Sequence, residues 1–228
     1  VDFVNEEITR EGFTPFDRGF ITQNWSDREL NRLERRIENG AGEPMLYNYR
    51  MRDAQILPDG SMVGMMEQYY VQQRNSYDAR GFMNVTYVYY YNDIVVYKFA
   101  KDGTMDWVKN IRKQQISTND GGPYSSYASF IDGQEVNLIF NDSKENYSPE
   151  GTYLNDRLYS TSFSKKNNVV TQVKIDLFSG LTSREILTGR KDMGSLIKPK
   201  LFKNDIVNRE MIVFSVFKGK ENFGIIKY

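Results

Sequence analysis

The sequence predicts an all-β protein built from repeated antiparallel hairpins, arranged as a β-propeller-like array of about three four-stranded blades. Two observations predict this class. Short apolar runs alternate with hairpin turn residues along most of the chain, and those turns recur at a nearly constant spacing. Tyr and Phe are also abundant, with 16 and 14 copies among 228 residues, and aromatic residues favour strands.

The turns form two interleaved series with one period. In the first series, Gly60, Gly133 and Asp205 lie 73 and 72 residues apart. In the second, Gly103 and Gly180 lie 77 residues apart. Two turn series with a common period indicate a repeated unit of two hairpins, hence of four strands. Within a repeat region at 45–228, we predict units at about 51–113, 125–187 and 196–228.

The patterning of the strands favours blades over a simple sandwich. The run 211–217 is apolar on both faces, so its sheet needs cover on both sides, as stacked blades provide. Closed propellers have about four to eight blades, whereas this chain offers about three. We therefore expect the exposed edges to be completed by missing blades, by a second copy or by another chain.

The N-terminal part departs from the repeat. We predict that residues 1–24 contribute one or more strands to a preceding blade and that 25–44 form a helical insertion and linker. Within it, 26–38 is a short surface helix, because Ser26 and Glu29 have the spacing of a capping box before a narrow apolar stripe.

Two polar stretches interrupt the β pattern further along the chain. Residues 72–84 and 141–168 are rich in polar and charged side chains. We interpret both as insertions between hairpins, the second as a long surface loop.

Composition excludes several functions. Thirty basic residues balance thirty acidic residues, so the sequence lacks the basic excess typical of nucleic-acid binding. No apolar run is long enough for a transmembrane helix. The absence of Cys and His excludes disulfides, thiol nucleophiles, His-based triads and His-ligated zinc. Any catalysis would depend on carboxylates, Lys, Tyr or a bound metal, and we favour a non-enzymatic protein.

Acidic residues give two weaker site hypotheses. Calcium is the one metal that the pattern admits, at Asn119–Gly122, Asn141–Asp142 or Asn155–Asp156, although such residues in turns usually bond their own backbone. We therefore predict no cofactor. Glu67 and Asp93 lie in or beside apolar strands and are the acids most expected to be partly buried, where Arg or a backbone amide would satisfy them.

Tyrosine crowding supplies the candidate binding residues, which are predicted to gather near strand ends. Exposed tyrosines stack on sugar rings or anchor protein interfaces at a low cost in side-chain entropy. Packing within the sheets is the alternative interpretation, and it stays open. The candidates are Tyr89, Tyr90, Tyr91, Tyr124 and Tyr127.

Six strings carry a family resemblance: Glu67–Val71, Tyr89–Ile94, Val96–Lys109, Ser117–Gly122, Ser125–Ala128 and Phe140–Asp142. They resemble the C-terminal half of a family of uncharacterised, exported envelope proteins of Bacteroidota, and the similarity runs from about Gly19 to Tyr228. The resemblance implies a longer protein and a location in the periplasm or at the cell surface. It implies no activity and gives no residue a role.

Three functional hypotheses follow from these observations. The first is a non-enzymatic binding or scaffold module of the bacterial cell envelope, which contacts a protein or glycan through a propeller face or rim. The second is a carbohydrate-active enzyme, or a polysaccharide-binding accessory of one, which requires two converging carboxylates for catalysis. The third is a subunit of an envelope transport or secretion assembly.

Overall fold

The computed structural model describes residues 15–154, 158–161, 163, 167–189, 196–217 and 219–228. Strands account for 53% of the described residues and helices for 12%, and the strands form antiparallel sheets. The prediction of a mostly β chain with four-stranded antiparallel sheets is therefore confirmed. No helix in this described part is long and apolar enough to cross a bilayer.

The first sheet has the order β1-β2-β3-β4, with β5 pairing against β3 at residues 88–91. Its strands are β1 (Tyr49–Ile56), β2 (Met62–Tyr77), β3 (Met83–Phe99), β4 (Met105–Ile111) and β5 (Gln115–Thr118). The predicted turns between them are present: Gly60 and Gly103 have φ values of 84° and 85°, which glycine adopts without steric cost.

The second sheet is a four-stranded meander in the order β6-β7-β8-β9. Its strands are β6 (Ala128–Asp132), β7 (Glu135–Ser143), β8 (Asn168–Asp176) and β9 (Thr182–Gly189).

The third sheet has only three strand positions in the described chain, because β10 and β11 both pair along one side of β12 while β13 pairs along the other. Its strands are β10 (Leu196–Ile197), β11 (Lys203–Asp205), β12 (Glu210–Phe217) and β13 (Lys220–Lys227).

Two helices precede the first sheet. In α2 (Asp27–Glu38), the predicted capping box is present, because the Ser26 hydroxyl accepts from the Glu29 amide while the Glu29 carboxylate accepts from the Ser26 amide. A shorter helix, α1 (Arg18–Thr22), is capped by Asp17. Within the segment 1–24, the described residues 15–24 contain this helix and no strand, and residues 1–14 lie outside the described range.

The chain divides into two compact units. The first comprises residues 1–66 and 95–110, and its core includes Val63, Met65, Tyr97 and Trp107. Gly64 lies against the Tyr97 ring, where a Cβ would come within 2.3 Å of the ring carbon, so only glycine fits there.

The second unit comprises residues 67–94 and 111–228. Its apolar core joins one face of the second sheet to one face of the third. The buried residues of this core are Ala128, Phe130, Ile139, Val170, Ile197 and Met211.

Both predicted insertions differ from the structure. Strands β2 and β3 run through most of 72–84, so this stretch is a hairpin and not an irregular loop. The segment 141–168 begins inside the molecule, with Asn141, Asp142 and Asn146 all fully buried. Polar composition suggested a surface loop here, but partners distant in sequence satisfy these side chains.

Candidate functional site

The structure divides the five predicted tyrosines into two groups. Tyr91 and Tyr127 are buried, with 6% and 7% exposure, so their rings are packing residues that a surface ligand does not reach. Tyr89, Tyr90 and Tyr124 are partly buried. On β3, two partly buried tyrosines, Tyr89 and Tyr90, are therefore followed directly by the buried Tyr91.

Cross-strand pairs organise these rings. Tyr69 lies 4.6 Å from Tyr91, and Tyr70 lies 4.5 Å from Tyr90 with nearly parallel planes, measured between ring centroids. Arg74 donates to the Tyr90 hydroxyl at 2.9 Å, which gives the second pair a polar neighbour. Such aromatic pairs stabilise neighbouring strands by about 0.2–1 kcal/mol each.

Beyond these pairs, β2 and β3 continue as a hairpin arm, defined here as residues 71–87. Every residue from 71 to 84 is exposed. Tyr77, Phe82 and Met83 are 72%, 68% and 53% exposed, respectively. The turn is fixed by Asp78, whose Oδ1 accepts from the amide of Phe82 at 3.0 Å. The arm therefore has an ordered tip that presents aromatic and apolar side chains to solvent.

A glycine-rich turn lies against the buried Tyr91. A Cβ on Gly122 would come within 2.7 Å of the Tyr91 ring, so this turn requires glycine. The hydroxyl oxygens of Ser117 and Ser125 lie within 3.4 Å of the same point and are buried. Lys200 covers the outside, with its Nζ 4.8 Å from the Tyr91 ring centroid. This region is closed packing rather than an open binding pocket.

A fully buried ion pair joins Glu67 to Lys113, and neither side chain has any solvent exposure. Lys113 Nζ donates to Glu67 Oε1 at 2.9 Å, to the Tyr91 carbonyl at 2.8 Å and to Gln115 Oε1 at 3.2 Å. All three ammonium donors are therefore satisfied, as burial of a charge requires.

The pair extends into a buried hydrogen-bond network. The Ser126 hydroxyl donates to the second oxygen of Glu67 at 2.7 Å, and the Ser126 amide donates to Gln115 at 2.7 Å. Gln115 donates to the Asn141 carbonyl at 2.8 Å, and the Asn141 amide group donates to two further backbone carbonyls. This network ties segments far apart in the sequence to one another.

A second buried pair joins Asp142 to Arg184. Arg184 also donates to the Tyr147 hydroxyl at 2.9 Å and to the Arg112 carbonyl at 2.7 Å. Its guanidinium carbon lies 3.9 Å from the centroid of the Tyr153 ring. The Tyr147 hydroxyl in turn donates to Asp142 at 2.8 Å. The guanidinium is thus held by three hydrogen-bonding partners and lies against three aromatic rings.

Burial shifts the pKa of these groups. It lowers the pKa of Lys113, while the neighbouring Glu67 carboxylate opposes the shift. Burial raises the pKa of the Tyr147 hydroxyl and Asp142 raises it further, so Tyr147 stays protonated and keeps donating. Burial is the largest influence on Arg184 and acts to lower its pKa, but Asp142, Tyr147 and Tyr153 together outweigh it, so the pKa of Arg184 is raised. The raised pKa values of Tyr147 and Arg184 favour the protonated form of both groups, which suits a structural role.

Of the two acids singled out from the sequence, Asp93 has the expected backbone amide as a partner, whereas Glu67 is paired with a lysine and a serine hydroxyl instead of an arginine. Glu67 is fully buried, and Asp93 is partly buried with its Oδ1 accepting from the Lys113 amide at 3.0 Å. Sequence reasoning missed the cations Lys113 and Arg184. Each lies 42 or more residues from its partner, and no local pattern marks such a pair.

Two of the acidic residues proposed to bind calcium already have other ionic or hydrogen-bonding partners. Asp142 is bound by Arg184, and Asp120 accepts from the Gly122 amide at 2.9 Å. Asn155–Asp156 lies outside the described residues. Within the described ranges, no group of three acidic side chains is placed to hold a metal.

The first unit contains an open, apolar groove of about 400 Å³. The residues that line it are Phe16, Ile21, Pro44, Met45, Leu46, Tyr49 and Met66. These side chains offer apolar contact and no charged group.

Comparison of the chain with protein-family models, with curated proteins and with solved structures finds no match. Function is therefore inferred from the residues and contacts of the chain itself.

Proposed function

We propose that this chain is a non-enzymatic binding or scaffold module of the bacterial cell envelope, and that it contacts a protein partner through the hairpin arm. The observation that carries the proposal is the exposure of Tyr77, Phe82 and Met83 at the ordered tip of the arm. The envelope location rests on the family resemblance, and the repeat of four-stranded sheets supports a propeller-like array.

The energetics of the arm favour a role in binding. A two-stranded hairpin is marginally stable in water by itself, and this one gains little from burial because its side chains face solvent. Burial of a large apolar side chain in a partner contributes about 1.5–3 kcal/mol, so Tyr77, Phe82 and Met83 would each strengthen such a contact. Exposed apolar clusters of this kind mark interaction sites.

The buried carboxylates support the non-enzymatic part of the proposal. Glu67 and Asp142 are fully sealed from solvent, and each is neutralised by a cation and further hydrogen bonds. A general acid or base must reach its substrate within hydrogen-bond distance. Neither acid meets that condition in this structure.

Site-specific photo-crosslinking in the native cell tests the proposal. A photoreactive phenylalanine analogue at Phe82 is expected to crosslink to one discrete protein. The same analogue at Phe178, which is 89% exposed in a turn of the second sheet, serves as the matched control. Crosslinking from position 82 is expected to disappear when Tyr77→Ser and Met83→Ser are added.

Equal crosslinking from positions 82 and 178 would show that exposure alone explains the signal, and the proposal would fail. A captured component of a transport or secretion complex would specify the module as a subunit of that assembly.

Polysaccharide binding is the second candidate, favoured by the stacked Tyr70–Tyr90 pair with Gln72 and Arg74 beside it. The Tyr90 hydroxyl donates to Gln72 at 3.2 Å, so aromatic and hydrogen-bonding groups adjoin as they do in sugar sites. Glycan-array binding that is lost in the variant with Tyr70 and Tyr90 both changed to Ser, with the fold intact, would support this candidate. No glycan signal from the folded wild-type protein would remove it.

A further inference from the structure

Strand β13 presents a regular edge that no other strand in the described chain covers. It pairs with β12 from Glu210↔Lys227 to Phe217↔Lys220 without a register shift. Phe223 and Ile225 on this strand are 80% and 56% exposed. An edge of this kind is a template for pairing with another chain.

The direction of the free backbone groups follows from one hydrogen bond. The Tyr228 amide donates to the Arg209 carbonyl at 3.0 Å, which continues the β12–β13 ladder by one pair. Because hydrogen-bonded pairs alternate along antiparallel strands, the even-numbered residues of β13 face β12. The N–H and C=O groups of the odd-numbered residues point to the open edge. Those residues are Glu221, Phe223, Ile225 and Lys227.

Two other edge strands carry features that discourage pairing. In the pairing of β8 with β9, the register shifts between Val170 and Thr171 of β8. Such irregularities twist an edge strand and hinder its pairing with another strand. Strand β1 places Arg50, Arg52 and Asp53 within a short stretch. In β13 the ladder is regular, and its charges lie near its two ends.

The sequence of β13 is complementary to itself in the antiparallel sense. When two copies pair about Gly224, Phe223 of each copy faces Ile225 of the other, and Glu221 faces Lys227. All four residues are exposed in one copy and their backbone groups point outwards, so this register is compatible with the ladder. Gly224 lies at the two-fold axis in a non-hydrogen-bonded pair, where backbones approach most closely and a glycine offers no obstruction.

We propose that two copies of this chain associate edge to edge through β13, forming a two-fold symmetric dimer whose third sheets are continuous across the interface. Backbone hydrogen bonds from the odd-numbered residues provide the contact. The Phe223–Ile225 and Glu221–Lys227 cross-strand pairs set the register. The existing partners of Glu221 and Lys227, which are Lys198 and Glu210, lie at the surface and leave both side chains 75% or more exposed.

Sedimentation equilibrium of the full chain tests this interface. The apparent mass is expected to rise from 26.6 kDa towards twice that value as the concentration increases from about 1 to about 100 μM. Ile225→Pro removes an outward N–H without touching the β12 ladder and is expected to keep the protein monomeric. Ile225→Thr keeps that N–H and is expected to retain the dimer.

Charge reversal supplies the test that does not depend on proline. Glu221→Lys alone and Lys227→Glu alone each place like charges opposite one another twice, so each is expected to weaken association by about tenfold or more. The double variant restores opposite charges and is expected to recover wild-type association.

A single-chain mass at every concentration would overturn the proposal. So would an Ile225→Pro dimer of unchanged affinity, or a double charge reversal that recovers nothing. Because the arm is not involved, these results leave the crosslinking test of the proposed function independent.

Discussion

The buried ion-pair network and the hairpin arm lie in the same unit of the chain and use polar residues in opposite ways. In the network, Glu67, Lys113, Asp142 and Arg184 are removed from water and every charge meets an opposite charge. In the arm, polar and aromatic side chains face solvent. The difference teaches that position in the fold, and not residue type, separates the residues that hold this protein together from those available to a partner.

The largest expected effect comes from breaking the network at its most buried charge. Lys113→Met leaves the Glu67 carboxylate uncompensated at 0% exposure, so we expect a loss of about 3–5 kcal/mol in the free energy of unfolding. Urea denaturation followed by circular dichroism measures it. Both tryptophans, Trp25 and Trp107, lie in the other unit, so fluorescence would report elsewhere.

Two further variants serve as controls for the loss of stability expected in Lys113→Met. Lys101→Met, at an exposed turn position, is expected to change stability by less than about 0.5 kcal/mol. Adding Glu67→Gln to Lys113→Met removes the stranded charge and keeps an acceptor for Ser126, so it should recover much of the loss. A double variant as unstable as the single one would contradict this interpretation of the pair.

A smaller effect is expected at Ser126, which combines a network hydrogen bond with a left-handed backbone. Its φ is 76°, and its hydroxyl donates to Glu67 at 2.7 Å. Ser126→Ala loses the bond and keeps the backbone strain, so we expect a cost of about 1–3 kcal/mol. Ser126→Gly loses the same bond but relieves the strain, and is expected to cost less. Because glycine also makes the unfolded chain more flexible, the test is the sign of the difference: a larger loss for Ser126→Gly than for Ser126→Ala would contradict this interpretation.

Substitutions in the hairpin arm should affect partner binding and leave the stability of the fold nearly unchanged. Tyr77→Ser, Phe82→Ser and Met83→Ser remove exposed side chains, so each is expected to change the free energy of unfolding by less than about 0.5 kcal/mol. Tyr77→Ser and Met83→Ser are also expected to abolish crosslinking from the photoreactive analogue at position 82. A loss of stability comparable with that of Lys113→Met would instead place the arm among the structural elements.

The smallest effect concerns an exposed turn. Hydrogen bonds from the Ser179 hydroxyl and amide lower the pKa of Asp176 below its usual value of 3.8. A carboxylate with a lowered pKa stabilises the fold above pH 3.8, and that contribution is lost as the pH falls through the folded-state pKa. Asp176→Asn cannot titrate there. Its stability deficit at neutral pH is expected to shrink below pH 3.8, and a constant deficit would contradict the linkage.

Much of the fold could be predicted because its signals are local. The turn at Gly60 and the capping box of Ser26 and Glu29 each depend on residues within a few positions of one another. Polar composition was misleading at 72–84 and 141–147, where strand pairing and buried partners decide the structure. Of the five candidate tyrosines, the sequence identified the segment but could not separate buried Tyr91 from partly exposed Tyr90.

The sequence by itself determined that no cysteine or histidine is present for chemistry. It also determined that the protein is mostly β and where its hairpin turns lie. Local backbone preferences and the alternation of side chains carry that information. Only the tertiary structure decided that Lys113 meets Glu67 46 residues away, that Arg184 meets Asp142 and that no described strand pairs with the outer edge of β13. Such contacts depend on which strands lie side by side. In the low dielectric of the interior, each buried charge needs an opposite charge and hydrogen-bonding partners beside it.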